Sequence, residues 1–433
     1  MSRASHVAAF AAGCALAAAV AARAAPGTRP EATRYRTLDT FAQALTYVTS
    51  QYVDTVDERR LLYAATRGML ESLDPYSAFF APAEYRRLRE DTEGEFPGVG
   101  LVLGPGGPDD ALPDAKAWPI VDEVLPESPA AAAGLAEDDR ILSIDGESTV
   151  GTDGHDERYW DARLRGDAGT RVVVVYLRPG GAPATATLTR RQVKVPSVER
   201  EALSRGIGYL AIRRFQEATA ADVTAALAEL RRQAADTVII LDLRRDSGGL
   251  VDQAIEVADL FLDGGTIVTI HGRAPGTVET HDARKGGAGI APRLLVLVNN
   301  QTASAAEILA GALQDHRRAT ILGGRTYGKG AIQTYFDLTD GSGLKLTTHR
   351  YLTPAGHEVE GRGITPDVAV PDFEPEEIVA GQAGSGTGTG TGSGSGQDGG
   401  SDPAGRDILG ARGDDDHQLR IAYQTAQRWL GSK

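Results

Sequence analysis

The spacing of apolar residues changes character several times along the chain. Over residues 37–52, Leu38, Phe41, Leu45, Val48 and Tyr52 recur at intervals of three and four, the period of one face of an amphipathic helix. Leu61, Leu62, Ala65, Met69 and Leu73 predict a second helix from Asp57 to Leu73. The segment Leu73-Asp74-Pro75-Tyr76-Ser77 ends it, because proline disfavours helix at the residue before it. From about 96 to 194 the runs become short: Val99–Leu103, Pro119–Val121, Arg140–Ile144, Val172–Tyr176 and Thr185–Thr189 predict strands. Ser128–Gly134 predicts one short helix closed by glycine. This stretch reads as a compact, mainly β module.

Residues 206–372 follow another rule. Thr237–Leu243 and Arg293–Val298 are continuous apolar runs, expected of strands covered on both faces. Helical stretches at 219–233, 250–262 and 304–315 alternate with them, which predicts an α/β core with parallel pairing. Residues 382–400 are almost all Gly, Ser and Thr, the composition of a flexible linker. Beyond it, Leu419, Ala422, Ala426 and Trp429 outline a last amphipathic helix whose apolar face needs a partner on the core.

Composition narrows the classes. A chain of 433 residues implies two to three domains plus tails. A net charge of −14 makes it a poor ligand for phosphate backbones, so nucleic acid is not an expected partner. One cysteine, Cys14, excludes an internal disulfide and any multi-cysteine metal site. At the N-terminus, Arg3 and His6 precede an apolar stretch from Val7 to about Ala22, and Ala22-Arg23-Ala24 offers a cleavage site. That is the pattern of a secretory signal peptide. The expected location is therefore outside the cytoplasm, in the periplasm or cell envelope. Retention of the segment as a membrane anchor is the alternative. The boundaries read as a signal peptide over 1–25, a helical region over 26–95, the β module over 96–194, the α/β core over 195–375, a linker over 376–405 and a C-terminal helical segment over 406–433.

Three clusters could carry chemistry. In Asn299–Leu309 a buried strand ends, a polar turn follows, and Ser304 stands where a helix opens. Free N–H groups and the helix dipole there favour a developing negative charge; equally, Ser304 could serve only as a helix cap. In Gly323–Gln333, Lys329 lies among Gly, Tyr, Ala and Ile, with Asp315 and Asp337 the nearest acids in sequence. A desolvated lysine can act as a general base; a surface lysine in a Gly-rich loop is the plain alternative. If the stretch is helical, Gln333 shares a face with Lys329 and could orient its amine. Gly323, Gly328 and Lys329 also fit a phosphate-binding loop, but Gly330 stands where magnesium coordination requires Ser or Thr. The third cluster, Asp242–Leu250, places Gly248 and Gly249 just after a buried strand, suited to backbone donors for an oxyanion or simply to a turn. Scattered histidines (His271, His281, His316, His349, His357) have no nucleophile-partner setting, and no metal motif is present.

Together these segments resemble the carboxyl-terminal processing (tail-specific) serine peptidases. Tyr52-Val53-Asp54, Gly68-Met69-Leu70 and Leu73–Ser77 are similar to the family's N-terminal helical region, with Tyr76 where the family usually has His. Gly98-Val99-Gly100, Ser128-Pro129-Ala130, Ala133-Gly134-Leu135, Asp138–Ile144 and Gly166–Val172 resemble its PDZ domain. Thr302–Ile308, Asp315, Arg318-Ala319, Gly328-Lys329-Gly330 and Gln333 resemble its catalytic core, and Gly361–Asp367 its closing motif.

The resemblance implies a multidomain α/β protein. Its core would be crotonase/Clp-protease-like, with an inserted mainly β PDZ domain and an N-terminal helical region. It implies Ser304 as nucleophile, Lys329 as general base and Gln333 as the residue orienting Lys329. Oxyanion donors would come from the N–H groups of Gly248 and Ala305, although the family's Asn-Pro before the glycine pair is Asp246-Ser247 here. Gly98, Val99 and Gly100 would hold the C-terminal carboxylate of a protein or peptide substrate. No cofactor is implied. An activating adaptor and a homo-oligomer stay open as partners. The alternative is a noncatalytic PDZ-containing binding protein of the envelope with the same fold.

Overall fold

The computed structural model describes residues 30–106, 118–149, 157–204, 206–233, 237–274, 276, 278–285, 292–372 and 416–431. The signal peptide, the Gly/Ser/Thr linker and Cys14 lie outside the described residues. The chain divides into two compact units, Met1–Leu73 and Asp74–Lys433.

In the first unit the helices Pro30–Gln51 and Glu58–Glu71 match the two apolar stripes. Asp57 caps the second, its side chain accepting the Arg60 N–H at 3.2 Å, which satisfies one of the free donors at a helix start. The stripe of the first helix is solvent-facing: Leu38, Phe41, Val48 and Tyr52 are all exposed.

The centre of the second unit is a six-stranded sheet in the order Val198–Ser204, Ile207–Ile212, Val238–Asp242, Arg293–Val298, Ala319–Gly323, Val368–Ala369. All neighbours are parallel except the first pair, a hairpin. The apolar runs divide residue by residue between the two faces, as the two-residue period of a strand requires. Ile239, Leu241, Leu294, Val296 and Val298 pack beneath the helices Thr219–Gln233, Val251–Phe261 and Ala305–Asp315. Val238, Ile240, Leu295 and Leu297 face the other way, where Leu419, Ala422 and Ala426 of the His417–Gly431 helix cover them. The terminal amphipathic helix thus docks on the core, as its pattern requires.

A second, antiparallel sheet packs on this core. It runs Ala78–Phe80, Gly343–Leu352, Gly265–Gly272, Val278–Ala283, with Ala331–Asp337 also paired to the Gly343–Leu352 strand. The β module forms its own sheet, Leu101–Gly104, Ile120–Val124, Arg140–Ile144, Arg171–Leu177, Ala184–Thr189. It closes over a separate core around Val121, Ile141, Trp160, Val172 and Leu188.

Two helices carried no readable stripe. Pro82–Glu93 buries only Tyr85. Its signals are local instead: Pro82 in the first turn, Glu84 accepting the Ala81 N–H at 2.8 Å, and Gly94 at φ +78° closing the end. Glu157–Leu164 spans barely two turns and anchors on Trp160 and Leu164.

Candidate active site

The strands Val238–Asp242 and Arg293–Val298 end side by side, and their following turns are laced together. The Thr302 hydroxyl donates to the Leu243 carbonyl at 2.7 Å, and the Ala303 N–H donates to the Asp246 carbonyl at 2.9 Å. Ser304 follows at φ +56°, ψ −116°, a conformation rare for a residue with a side chain. Its side chain makes no cap hydrogen bond. The helix Ala305–Asp315 is instead capped by Glu307, whose Oε2 accepts the Ser304 N–H at 2.9 Å. The purely capping role for the serine hydroxyl is therefore not the one this geometry uses. The hydroxyl sits at the mouth of a helix N-terminus with its own hydrogen-bonding capacity uncommitted to the cap.

Lys329 reaches the same place by its backbone. Its N–H donates to the same Glu307 oxygen at 2.8 Å, and the Gly328 N–H donates to Oε1 at 2.7 Å. The single proton of the buried Tyr351 hydroxyl is shared between the carbonyls of Ser304 and Lys329, at 3.1 and 2.9 Å. The closing motif supports this loop from behind. The Gly361 N–H bonds the Gly328 carbonyl at 2.8 Å, and the Ile364 N–H bonds the Thr326 hydroxyl at 2.6 Å. A side chain at Gly328 would meet the Gly363 nitrogen at 2.9 Å, which is why glycine is needed there.

The Lys329 ammonium is half-buried, and burial lowers its pKa, with the neighbouring Lys345 adding to the lowering. Its sequence neighbours are poor in acids, but its spatial ones are not. Glu307 and Glu360 both oppose the shift, and the Tyr76 ring lies 5.2 Å from Nζ. Glu307 itself is fully buried. Burial raises its pKa, while the donors from Thr326, Lys329, Gly328 and Ser304 favour its ionised form.

Gly248 lies against the serine. A side chain there would come within 2.8 Å of Ser304 Cβ and 2.9 Å of the Ala305 nitrogen, and φ is +95°. The structure thus sets Gly248 against Ser304 and Ala305, and brings the Lys329 backbone to the same Glu307 carboxylate that holds the Ser304 backbone. The Gly248 N–H is engaged, however, donating to Asp246 Oδ1 at 2.8 Å. Gln333 stands apart from the sequence argument, because the expected shared helical face does not exist. Residues 324–330 form no helix, and Gln333 is on the strand Ala331–Asp337, its amide 3.4 Å from the Thr347 hydroxyl. The same strand removes the phosphate-loop reading, which needs a helix after the lysine. Asp315 accepts the Ala355 N–H at 2.8 Å, a structural contact.

In the β module Gly98 ends the strand Glu95–Gly98, Val99 is buried, and Gly100 has φ +78°. A side chain at Gly100 would collide with Ser128. The strand Leu101–Gly104 that follows is an edge of its sheet among the described residues, beside the Glu157–Leu164 helix.

Sequence reasoning missed the roles of Glu307 and Tyr351. Ser304-Ala305-Ala306-Glu307 has the S-x-x-E spacing of a capping box, a signal that could have exposed Glu307. Tyr351 had no signal, since only the fold brings it under the site.

Across 356 residues the chain is 36% identical to the carboxy-terminal-processing protease of Bartonella bacilliformis, covering 81% of this chain and 79% of that one. The chain belongs to peptidase family S41. The family's sequence model matches residues 206–370, a PDZ domain model matches 120–178, and a model of the activating protease CtpB N-terminal domain matches 13–82. A carboxyl-terminal-processing protease of Synechocystis sp. is 40% identical over 318 residues, 72% of this chain and 71% of the relative. Among solved structures, the photosystem II D1 C-terminal processing protease is 34% identical with a TM-score of 0.44, covering 76% of this chain and 86% of that one. The S41 member described here is a multidomain α/β serine-type peptidase with a PDZ domain.

Proposed function

We propose that this S41 peptidase cleaves exported proteins near their C-termini with a serine–lysine site. Neutral Lys329 removes the Ser304 proton, Ser304 Oγ attacks the scissile carbonyl, the leaving amine takes the proton, and water hydrolyses the acyl-enzyme. The Ala305 and Gly248 N–H groups stabilise the oxyanion, the latter after exchange from Asp246. Gln333 orients the lysine from its strand, an assignment that rests on family position alone. The observation that carries this reading is the single Glu307 carboxylate that fixes the backbones of both Ser304 and Lys329.

The substrate tail adds as a strand to the Leu101–Gly104 edge, with its carboxylate on the N–H groups of the Gly98-Val99-Gly100 turn. The edge position of that strand and the tight Gly100 turn support this. The division into signal peptide 1–25, helical region 26–95, PDZ domain 96–194, peptidase core 195–375, linker 376–405 and terminal helix 406–433 is proposed with it. So is action in the periplasm or cell envelope. An activating adaptor remains a proposal supported by the match to the CtpB N-terminal domain, and a homo-oligomer by the exposed stripe of the first helix. Among the described residues no helix is long and apolar enough to cross a membrane.

The decisive test is labelling by a fluorophosphonate probe, mapped by peptide mass spectrometry, alongside turnover of peptides with free or amidated C-termini. Label on Ser304, no turnover by Ser304→Ala, and preference for the free carboxylate are expected. Turnover by Ser304→Ala would overturn the nucleophile, and equal rates on both peptides would overturn carboxylate capture.

A further inference from the structure

The turn between Asp242 and Gly249 holds one buried acid that the reaction above leaves unused. Asp246 is wholly buried. Its carbonyl accepts the Ala303 N–H, one residue before Ser304, and its Oδ1 accepts the Gly248 N–H at 2.8 Å. Its Oδ2 is equally buried and, among the described residues, has no hydrogen-bond partner. A buried carboxyl oxygen left unpaired is costly if the group is charged. The charged groups on the elements around it do not close on it. Arg213 and Arg214, on the segment before the Thr219–Gln233 helix, act on it only through space, and Arg213 is committed to Glu199. On its own turn Arg244 is taken by Asp242 and Asp416, and Arg245 is exposed. At the facing helix start, Glu307 is taken by the backbones of Ser304, Gly328 and Lys329.

Burial pushes the Asp246 carboxyl well above its ordinary range, with the Gly248 bond and the two arginines opposing. Burial thereby favours the protonated acid over the carboxylate. Two acceptors then compete for one donor. The Gly248 N–H cannot serve a carboxylate and a tetrahedral oxyanion at once, and a hydrogen bond to a charged acceptor is about twice as strong as one to a neutral acceptor. An ionised Asp246 would also set a second negative charge beside the one that develops in the transition state.

We propose that Asp246 is a positioning residue of the peptidase reaction, a carboxyl latch that yields the Gly248 N–H to the oxyanion when protonated and withholds it when ionised. The family pattern that this sequence resembles has Asn at this position, which could hold the turn but could not titrate. The inference rests on the assignment of Ser304 as nucleophile and Gly248 as oxyanion donor.

The active form then requires a neutral Lys329 and a protonated Asp246 together, so kcat/KM of the wild-type protein should be bell-shaped in pH, falling about tenfold per pH unit at its alkaline end. Asp246→Asn has the same shape and no charge. Its profile should rise through one ionisation and stay level where the wild type falls. The difference should lie in kcat with little change in KM, because the contested bond forms only in the transition state. Circular dichroism across the same pH range separates this from alkaline unfolding. A wild-type profile that reaches a plateau with no alkaline fall would overturn the proposal even if Asp246→Asn failed to fold. So would an Asp246→Asn enzyme that keeps the fall. Parallel fluorophosphonate labelling keeps the two readings apart. A protein labelled at Ser304 but lacking the alkaline fall loses only the latch, whereas turnover by unlabelled Ser304→Ala removes the site on which the latch depends.

Discussion

The backbone N–H groups of Ser304 and Lys329, 25 residues apart in sequence, share one acceptor, Oε2 of Glu307, at 2.9 and 2.8 Å. The other oxygen of that carboxylate takes the Thr326 hydroxyl and the Gly328 N–H. Four donors thus converge on one buried acid. Its ionised form is an acceptor at every position, so no isosteric substitute reproduces it.

Glu307→Gln places an amide NH2 against two of those donors. A loss of about 1–3 kcal/mol of stability is expected from the unsatisfied buried groups. The Ser304 and Lys329 backbones lose their common anchor at the same time, so kcat should fall more than KM rises. Thermal melting together with steady-state kinetics checks both. A Glu307→Gln protein with wild-type melting and kcat would show that the shared acceptor fixes neither residue.

The strained backbone of Ser304 makes a second prediction. At φ +56° a residue with a Cβ costs about 1–3 kcal/mol that glycine largely avoids. Ser304→Ala and Ser304→Gly should both lose about 10⁴-fold or more in turnover, yet the glycine variant should melt higher than the alanine variant. Equal melting temperatures would mean that the serine is not strained in solution.

The sequence was most legible where one physical signal dominated. The continuous runs Thr237–Leu243 and Arg293–Val298 became central parallel strands because their apolar residues, 238–241 and 243 in the first and 294–298 in the second, must be covered on both faces. The stripe Leu419, Ala422, Ala426 found its partner on the sheet for the same reason. Pro82–Glu93 escaped because a helix held by caps and a single tyrosine has no apolar period to read. In the site, Ser304 and Lys329 stood out through turn position and local composition. The acids near Lys329 did not, since Glu307 and Glu360 arrive by folding from 22 and 31 residues away. Whether Gln333 lies on a helix or a strand was not legible, because the segment's glycines give no period, and its strand is dictated by pairing with Gly343–Leu352.

The C-terminal helix is tied to the Asp242–Gly249 turn through Arg244, which forks onto Asp416 at 2.7 and 2.8 Å while also bonding Asp242. The guanidinium is mostly buried, so its planar two-point geometry matters as much as its charge. Arg244→Lys should lower stability and kcat together, and removing residues 406–433 should do more, because the apolar face of the sheet under Leu419, Ala422 and Ala426 is then uncovered. Burial of the leucine alone is worth about 1.5–3 kcal/mol. Melting of the truncated protein at or above the intact value would refute the helix as a structural cover.

The pH dependence of Lys329 has a definite sign. Free lysine titrates near about 10.4, and a protonated amine cannot accept the serine proton. Burial, with Lys345 beside it, lowers the Lys329 pKa, and a lowered pKa enlarges the neutral fraction at any pH below the free value. The acid side of the kcat/KM profile should therefore rise through a pKa below that of free lysine. Removing the opposing carboxylate should move it further in the same direction, since Glu360 favours the ammonium. Glu360→Gln should shift the acid limb to lower pH without changing which residue is labelled by a fluorophosphonate. Lys329→Ala should cost about 10²–10⁴-fold, the usual worth of a general base, and Lys329→Arg at least as much, because guanidinium stays protonated throughout the usable range. Purified Lys329→Arg with near-normal turnover would exclude lysine as the base and direct attention back to the histidines.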